Sequence, residues 1–283
     1  MSGIRPRLRP LEVVPEGRGD DARMVLRDRD GWTPPVALPP GAVLLASLMD
    51  GTRTLSEIQN DYLALAGLYW PLDDLEQLVR RLDSAFLLDN ARFQEFRRPE
   101  VQAFLRSRTR PAVGAGVAYP ADRFELVSRL DALLGGNRNR VCDGARQSAR
   151  RLRGVASPAG ALSDGNAAYA AAFRRLSEES DADLFVILAA CRRPMREPFC
   201  LLSKDFETPL GRTSVDRDWI DAFAGHYAAL RCASREPLFH DALRHRTETA
   251  IELQTVLLQH VFAGPRDFRI VPILLGDLTP APS

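Results

Sequence analysis

The stretch from Asp183 to Gly211, DLFVILAACRRPMREPFCLLSKDFETPLG, limits most strongly what this chain can fold into. Leu184, Phe185, Val186, Ile187 and Leu188 form an unbroken apolar run of strand length, the pattern of a buried strand rather than of a half-exposed one. The run stops at the turn Ala189-Ala190-Cys191-Arg192-Arg193. A second apolar run, Phe199 to Leu202, leads into Asp205-Phe206-Glu207-Thr208-Pro209-Leu210-Gly211, where Pro and Gly supply turn chemistry.

Two domains of ordinary size fit in 283 residues, and 45% hydrophobic with 27% charged residues is globular composition. Disordered and fibrous classes are excluded. A net charge of +1 gives no general basic surface, so no nucleic-acid partner is expected. The 38 basic side chains include one lysine, Lys204, a bias read as a high-GC coding preference. Cys142, Cys191, Cys200 and Cys232 make no C-x-x-C pair, which leaves zinc-ribbon and redox motifs without support. The opening residues MSGIRPRLRP lack the apolar core of a signal peptide, and no apolar run approaches the roughly 18 residues that span a bilayer. The expectation is a cytoplasmic protein with no membrane partner.

Residues 1 to 95 read as a small helical domain. Leu11 to Val14 and Met24 to Leu26 are short strands, and Val43, Leu44, Leu45, Leu48 and Met49 mark a helix that ends at Asp50-Gly51. Thr54-Leu55-Ser56-Glu57 is a capping box opening a second helix. A third carries Leu75, Leu78, Val79, Leu82 and Phe86 at three-to-four spacing, and Leu87 to Phe93 follows as a two-stranded wing. Three helices and a wing resemble a winged helix. The phrases MDGTRTLSEI and LDSAFLLD resemble PqqD-like domains, a likeness that implies peptide or protein binding; the plainer reading is a domain that packs on the rest of the chain.

Residues 96 to 109 follow as a connecting helix, and residues 110 to 283 as the second domain. Pro111 to Asp122 (PAVGAGVAYPAD), the LFVIL strand, FETPLG, TETAIELQ and FRIVPILLG together resemble the Memo family, also called AmmeMemoRadiSam system protein B. The resemblance implies an α/β fold with a mixed sheet flanked by helices, related to class III extradiol dioxygenases. In that family histidines and a cysteine hold a metal. Here the matching positions carry Pro158, Arg192, Arg193 and Thr249, and the chain stops seven residues after Gly276, short of the family's cysteine segment. A metal needs lone-pair donors, which proline lacks and which a protonated guanidinium cannot provide.

The expectations that follow are a C-terminally truncated Memo homologue without cofactor, catalytically silent, that binds a protein or peptide partner. A homodimer or hetero-complex would cover the truncated edge. The alternative is an oxidative metalloenzyme completed by a separate chain. Arg192 and Arg193 are expected to point into the former metal site near Asp205, Glu248 or Glu252, plugging it or forming an anion site. Cys191 reads either as an activated thiol beside two arginines or as a small residue in a turn. The arginine-rich stretch Asn137 to Arg153 is a solvated loop or a contact for an acidic partner.

Overall fold

The computed structural model describes residues 3–17, 23–134, 152–163, 166–191, 193–262 and 267–276, with the side chain of Asn166 left aside. The stretch 137–151 and Arg192, singled out above, lie outside the described residues. The chain divides into two compact units, Met1–Ala103 and Phe104–Ser283.

The first unit opens with an antiparallel meander, β1 (Glu12–Glu16), β2 (Arg23–Arg27) and β3 (Val36–Leu38), in which Val13 faces Leu26 and Val25 faces Ala37. Three helices follow: α1 (Pro40–Ser47), α2 (Leu55–Ala66) and α3 (Leu72–Ser84). The capping box forms as expected: the Glu57 N–H donates to Thr54 Oγ1 and the Thr54 N–H to Glu57 Oε2. Gly67 closes α2 at φ 66°, a left-handed backbone that favours glycine. Leu26, Leu38, Leu45, Ile58, Leu75 and Leu82 meet in the core. The segment before β1 is tied down by Leu8 N–H to the Met49 carbonyl, Arg9 N–H to the Leu87 carbonyl, and a buried Arg9–Asp28 ion pair of 2.7 Å.

No wing forms over residues 87–93. Asn90 Oδ1 accepts the Phe93 N–H at 3.0 Å and so caps the helix α4 (Ala91–Arg106), while Leu88 makes only an isolated bridge to Leu8. Asparagine at a helix start competes well with strand formation because its side chain satisfies a free backbone donor. The strands of this unit lie instead at its beginning.

The second unit contains β4 (Thr109–Arg110), α5 (Arg123–Leu134), α6 (Asn166–Glu179), β5 (Leu184–Ala190), β6 (Phe199–Leu201), β7 (Asp205–Thr208) and β8 (Gly211–Val215). It continues with α7 (Arg217–Arg231), two short 3-10 turns (Glu236–Phe239 and Ala242–Arg246), α8 (Ala250–Val261) and β9 (Arg269–Leu275). The sheet is mixed, in the order β4-β7-β8-β9-β5, with β6 also paired to β9. Strand β9 is parallel to β5 along its whole length (Leu184↔Arg269 to Ala190↔Leu275), parallel to β8 near its start and antiparallel to β6 near its end.

Helix α8 packs on β5, β7 and β8 and against α5 and α6, whereas α7 packs on β9. The observed architecture is therefore the α/β, mixed-sheet fold expected for this part of the chain. Ile270, Val271, Ile273 and Leu274 of β9 are 3% exposed or less, and burial of each such side chain contributes about 1.5–3 kcal/mol at most. Among the described residues no helix is long and apolar enough to cross a membrane.

Candidate functional site

Pro158 lies in an extended segment that Gln254 of α8 fastens: Ser157 Oγ donates to Gln254 Oε1 at 2.6 Å, and Gln254 Nε2 donates to the Pro158 carbonyl at 3.0 Å. Thr249 immediately precedes α8, and its carbonyl accepts the Leu253 N–H at 2.9 Å. Arg193 donates to the Arg244 carbonyl at 2.7 Å. Half-buried Cys191 sits in a strand-end turn, its N–H bonded to the Leu275 carbonyl at 2.7 Å. Among the described residues no three His, Cys, Asp or Glu side chains are grouped so as to hold a metal ion. A ring without a donor, a guanidinium and a neutral hydroxyl do not fit a transition metal, which requires imidazole, thiolate or carboxylate.

Glu252, expected near Arg192 and Arg193, has another partner. Its carboxylate is paired with Arg110, and both side chains are 0% exposed. Glu252 also accepts the Tyr119 hydroxyl, the Val113 N–H at 3.0 Å and the Gly114 N–H at 2.7 Å. Arg110 in turn donates to the His245 carbonyl at 2.7 Å, to the Pro111 carbonyl at 3.1 Å and to the Glu248 carbonyl, and lies 5.0 Å from the Phe206 ring centre.

The turn after Pro111 explains the local geometry. It aims two successive amides at one carboxylate, and a Cβ at Gly114 would stand 3.0 Å from Glu252 Oε1 and 3.1 Å from the Tyr119 ring. Burial, then the bond to Glu252, raises the Tyr119 pKa well above the usual phenol range, so the hydroxyl stays a donor. Burial pushes His245 down to about 3. The bond to the Cys200 carbonyl opposes that shift, and Arg110 and Arg193 add to it. The neutral ring faces the Cys200 carbonyl through Nε2 at 3.1 Å, which places its proton there. With donors matched to acceptors throughout, this cluster is a polar lock joining β4, the turn and α8; buried ion pairs of this kind cost much to break and add little over apolar packing.

The other expected pocket residues go elsewhere. Glu248 Oε1 accepts the Ala250 N–H at 3.1 Å. Asp205, 3% exposed, accepts the Val215 N–H at 3.0 Å and pairs with Arg212 and, at 2.9 Å, with Arg217. Burial works against ionisation of Asp205, but the Val215 amide and the two guanidinium groups together outweigh it and hold the carboxyl below its usual range. Glu252 and Asp205 are thus paired with arginines of β4, β8 and α7.

Beside Pro158 a groove of about 650 Å³ runs along β5, between residues 184–190 and the segment 152–159. Val186 and Leu188 project outward, 45% and 60% exposed, while Ile187 and Ala189 are buried. Arg153 is the one charged side chain among the described lining residues. Of the described strands β5 pairs only with β9, so its second backbone edge has no strand partner among the described residues.

The sequence model for the family described as Memo-like protein matches residues 110–281. The chain belongs to this family. A MEMO1 family protein of Aquifex aeolicus is 26% identical over 273 residues, covering 96% of this chain and 67% of that protein. One from Thermus thermophilus is 28% identical over 232 residues, 82% of this chain and 65% of the relative, and one from Methanosarcina acetivorans is 31% identical over 167 residues, 59% and 53%. The chain spans about two thirds of the length of the first two.

Within this Memo-family fold, sequence reasoning found Glu252 and Asp205 but not their partners. Arg110, Tyr119 and His245 carried no signal beyond the PAVGAG turn, whose glycines point to a close backbone approach.

Proposed function

We propose that this Memo-family chain does no chemistry at the family's metal corner and acts as a binding protein, taking an extended apolar segment of a partner polypeptide in the groove along β5. The observation that carries this reading is the lining among the described residues: a strand edge without a strand partner, two outward apolar side chains and a single charge. Acid–base or nucleophilic catalysis needs titratable groups in mutual reach, and the described lining supplies none. An open edge offers main-chain hydrogen bonds for strand addition, with pockets for alternate side chains giving selectivity. The resemblance of residues 1–95 to peptide-binding PqqD-like domains favours the same class of partner.

Selection of a random displayed peptide library on the full chain tests this. Enriched peptides should alternate apolar and polar residues, protect the amides of residues 184–190 from hydrogen exchange, and bind Leu188→Asp about tenfold or more weakly. Absence of enrichment, equal affinity for the Leu188→Asp variant, or a dimer that buries β5 against a second copy would overturn the reading.

A further inference from the structure

A second concave surface of this unit has the opposite character. It is an open cleft of about 810 Å³, lined by Arg106, Arg108, Lys204, Arg212 and Arg217, with Asp205 the one carboxylate among its described lining residues. The whole protein carries a net charge of only +1, so this surface concentrates cations that its composition does not suggest.

The cations are held in two ways. Asp205 fixes Arg212 and Arg217, whose side chains remain 54% and 46% exposed and keep guanidinium donors directed to solvent. Lys204, the only lysine of the chain, is anchored by the Leu105 carbonyl at 3.1 Å and by the Ser107 carbonyl. Arg106 and Arg108 are exposed and make no ion pair among the described residues. Five cations around one buried acid repel one another when the cleft holds only water, and an anion relieves that repulsion. Of the apolar residues beside them, Phe239 is half-buried, whereas Leu201 and Leu202 are 0% and 2% exposed.

We propose that this cleft binds small molecules carrying two or more phosphate groups. Guanidinium forks match phosphate oxygens two at a time, and Arg212 and Arg217 are pre-set by Asp205 rather than ordered at binding. The surplus of positive charge corresponds to a di- or triphosphate rather than to a single carboxylate. The volume exceeds that of a bare anion and leaves room for an organic body attached to it. This site is separate from the groove along β5: the two share no lining residue.

Titration calorimetry on the full chain at about 0.15 M salt, with tripolyphosphate as the probe, tests the proposal. Tripolyphosphate should bind, inorganic monophosphate should bind at least about tenfold more weakly, and the probe should protect Lys204 from acetylation by an N-hydroxysuccinimide ester, read by mass spectrometry. Replacing Arg212 and Arg217 strands the buried Asp205 and endangers the fold, so the deciding variant is Arg106→Gln with Arg108→Gln. It should weaken tripolyphosphate about tenfold and leave the melting temperature unchanged. No binding at millimolar probe, unaltered Lys204 acetylation, or full affinity in the Arg106→Gln/Arg108→Gln variant would overturn the proposal. Tighter binding of an acidic peptide or an oligonucleotide of matched charge would also overturn it, assigning the cleft to a polymer.

Discussion

Replacing Glu252 by glutamine tests the reading of the Arg110 cluster as a structural lock. The substitution preserves shape but removes the charge opposite Arg110 and turns one acceptor oxygen into a donor. Each carboxylate oxygen now accepts two bonds, one taking Gly114 N–H and Tyr119 hydroxyl, the other Val113 N–H and Arg110. In either orientation the amide nitrogen of glutamine would face two donors, and Arg110, 0% exposed, would keep at best one neutral oxygen besides its carbonyl partners.

Breaking a buried pair from one side costs about 3–5 kcal/mol. A unit of this size loses about 2–4 °C per kcal/mol, so melting should fall by about 10 °C. Hydrogen exchange of α8 reports this unit separately from the first. Adding Arg110→Met removes the stranded charge, and the double variant should be less destabilised than the sum of the two single variants by about 1–3 kcal/mol. A Glu252→Gln protein that melts within about 2 °C of wild type, or strict additivity in the cycle, would refute the lock.

Two further outcomes are expected. His245 stays neutral in the fold down to about pH 3 but titrates near 6.5 when unfolded, so the unfolded chain takes up a proton first. Its contribution to stability is complete above about pH 6.5 and is lost toward pH 3, by at most about 1.4 kcal/mol per unit; His245→Gln should flatten the stability profile between pH 6.5 and 4, and an unchanged slope would contradict this. Elemental analysis after anaerobic purification should find only substoichiometric iron, copper or zinc, given that Pro158, Arg193 and Thr249, at the positions where the resemblance leads one to expect ligands, offer no suitable donor; one tightly held metal per chain would count against it.

Much of the chemistry that acts over a few residues was legible in the sequence. The Thr54–Glu57 box and the LFVIL strand both lie where their patterns place them, but the strand is half-exposed rather than buried, with Val186 and Leu188 45% and 60% exposed. The wing at residues 87–93 failed because one asparagine side chain turned an extended stretch into a helix start. The lock was illegible for a different reason. Arg110 and Glu252 are 142 positions apart, and among so many arginines nothing marks one that will be buried. The basic cleft is likewise assembled from residues 106–108, 204 and 212–217, none of which forms a charge run by itself. Separation along the chain, rather than weak propensity, hid both.

The placement of β9 has a consequence for how the protein is made. This strand is bonded to β5, β6 and β8, yet all three are synthesised before it. Between Ala190 and Arg269 lie roughly 80 residues, which a ribosome adds in about 4–16 s at 5–20 residues per second. Throughout that interval the LFVIL strand has left the ribosome, or is leaving it, without β9, its one strand partner among the described residues. The first unit has no such wait, since its contacts lie within the first hundred or so residues. A nascent chain therefore carries a finished domain followed by an apolar ribbon that cannot close on itself, and the interval before β9 emerges is when chaperones and stray strands compete for it.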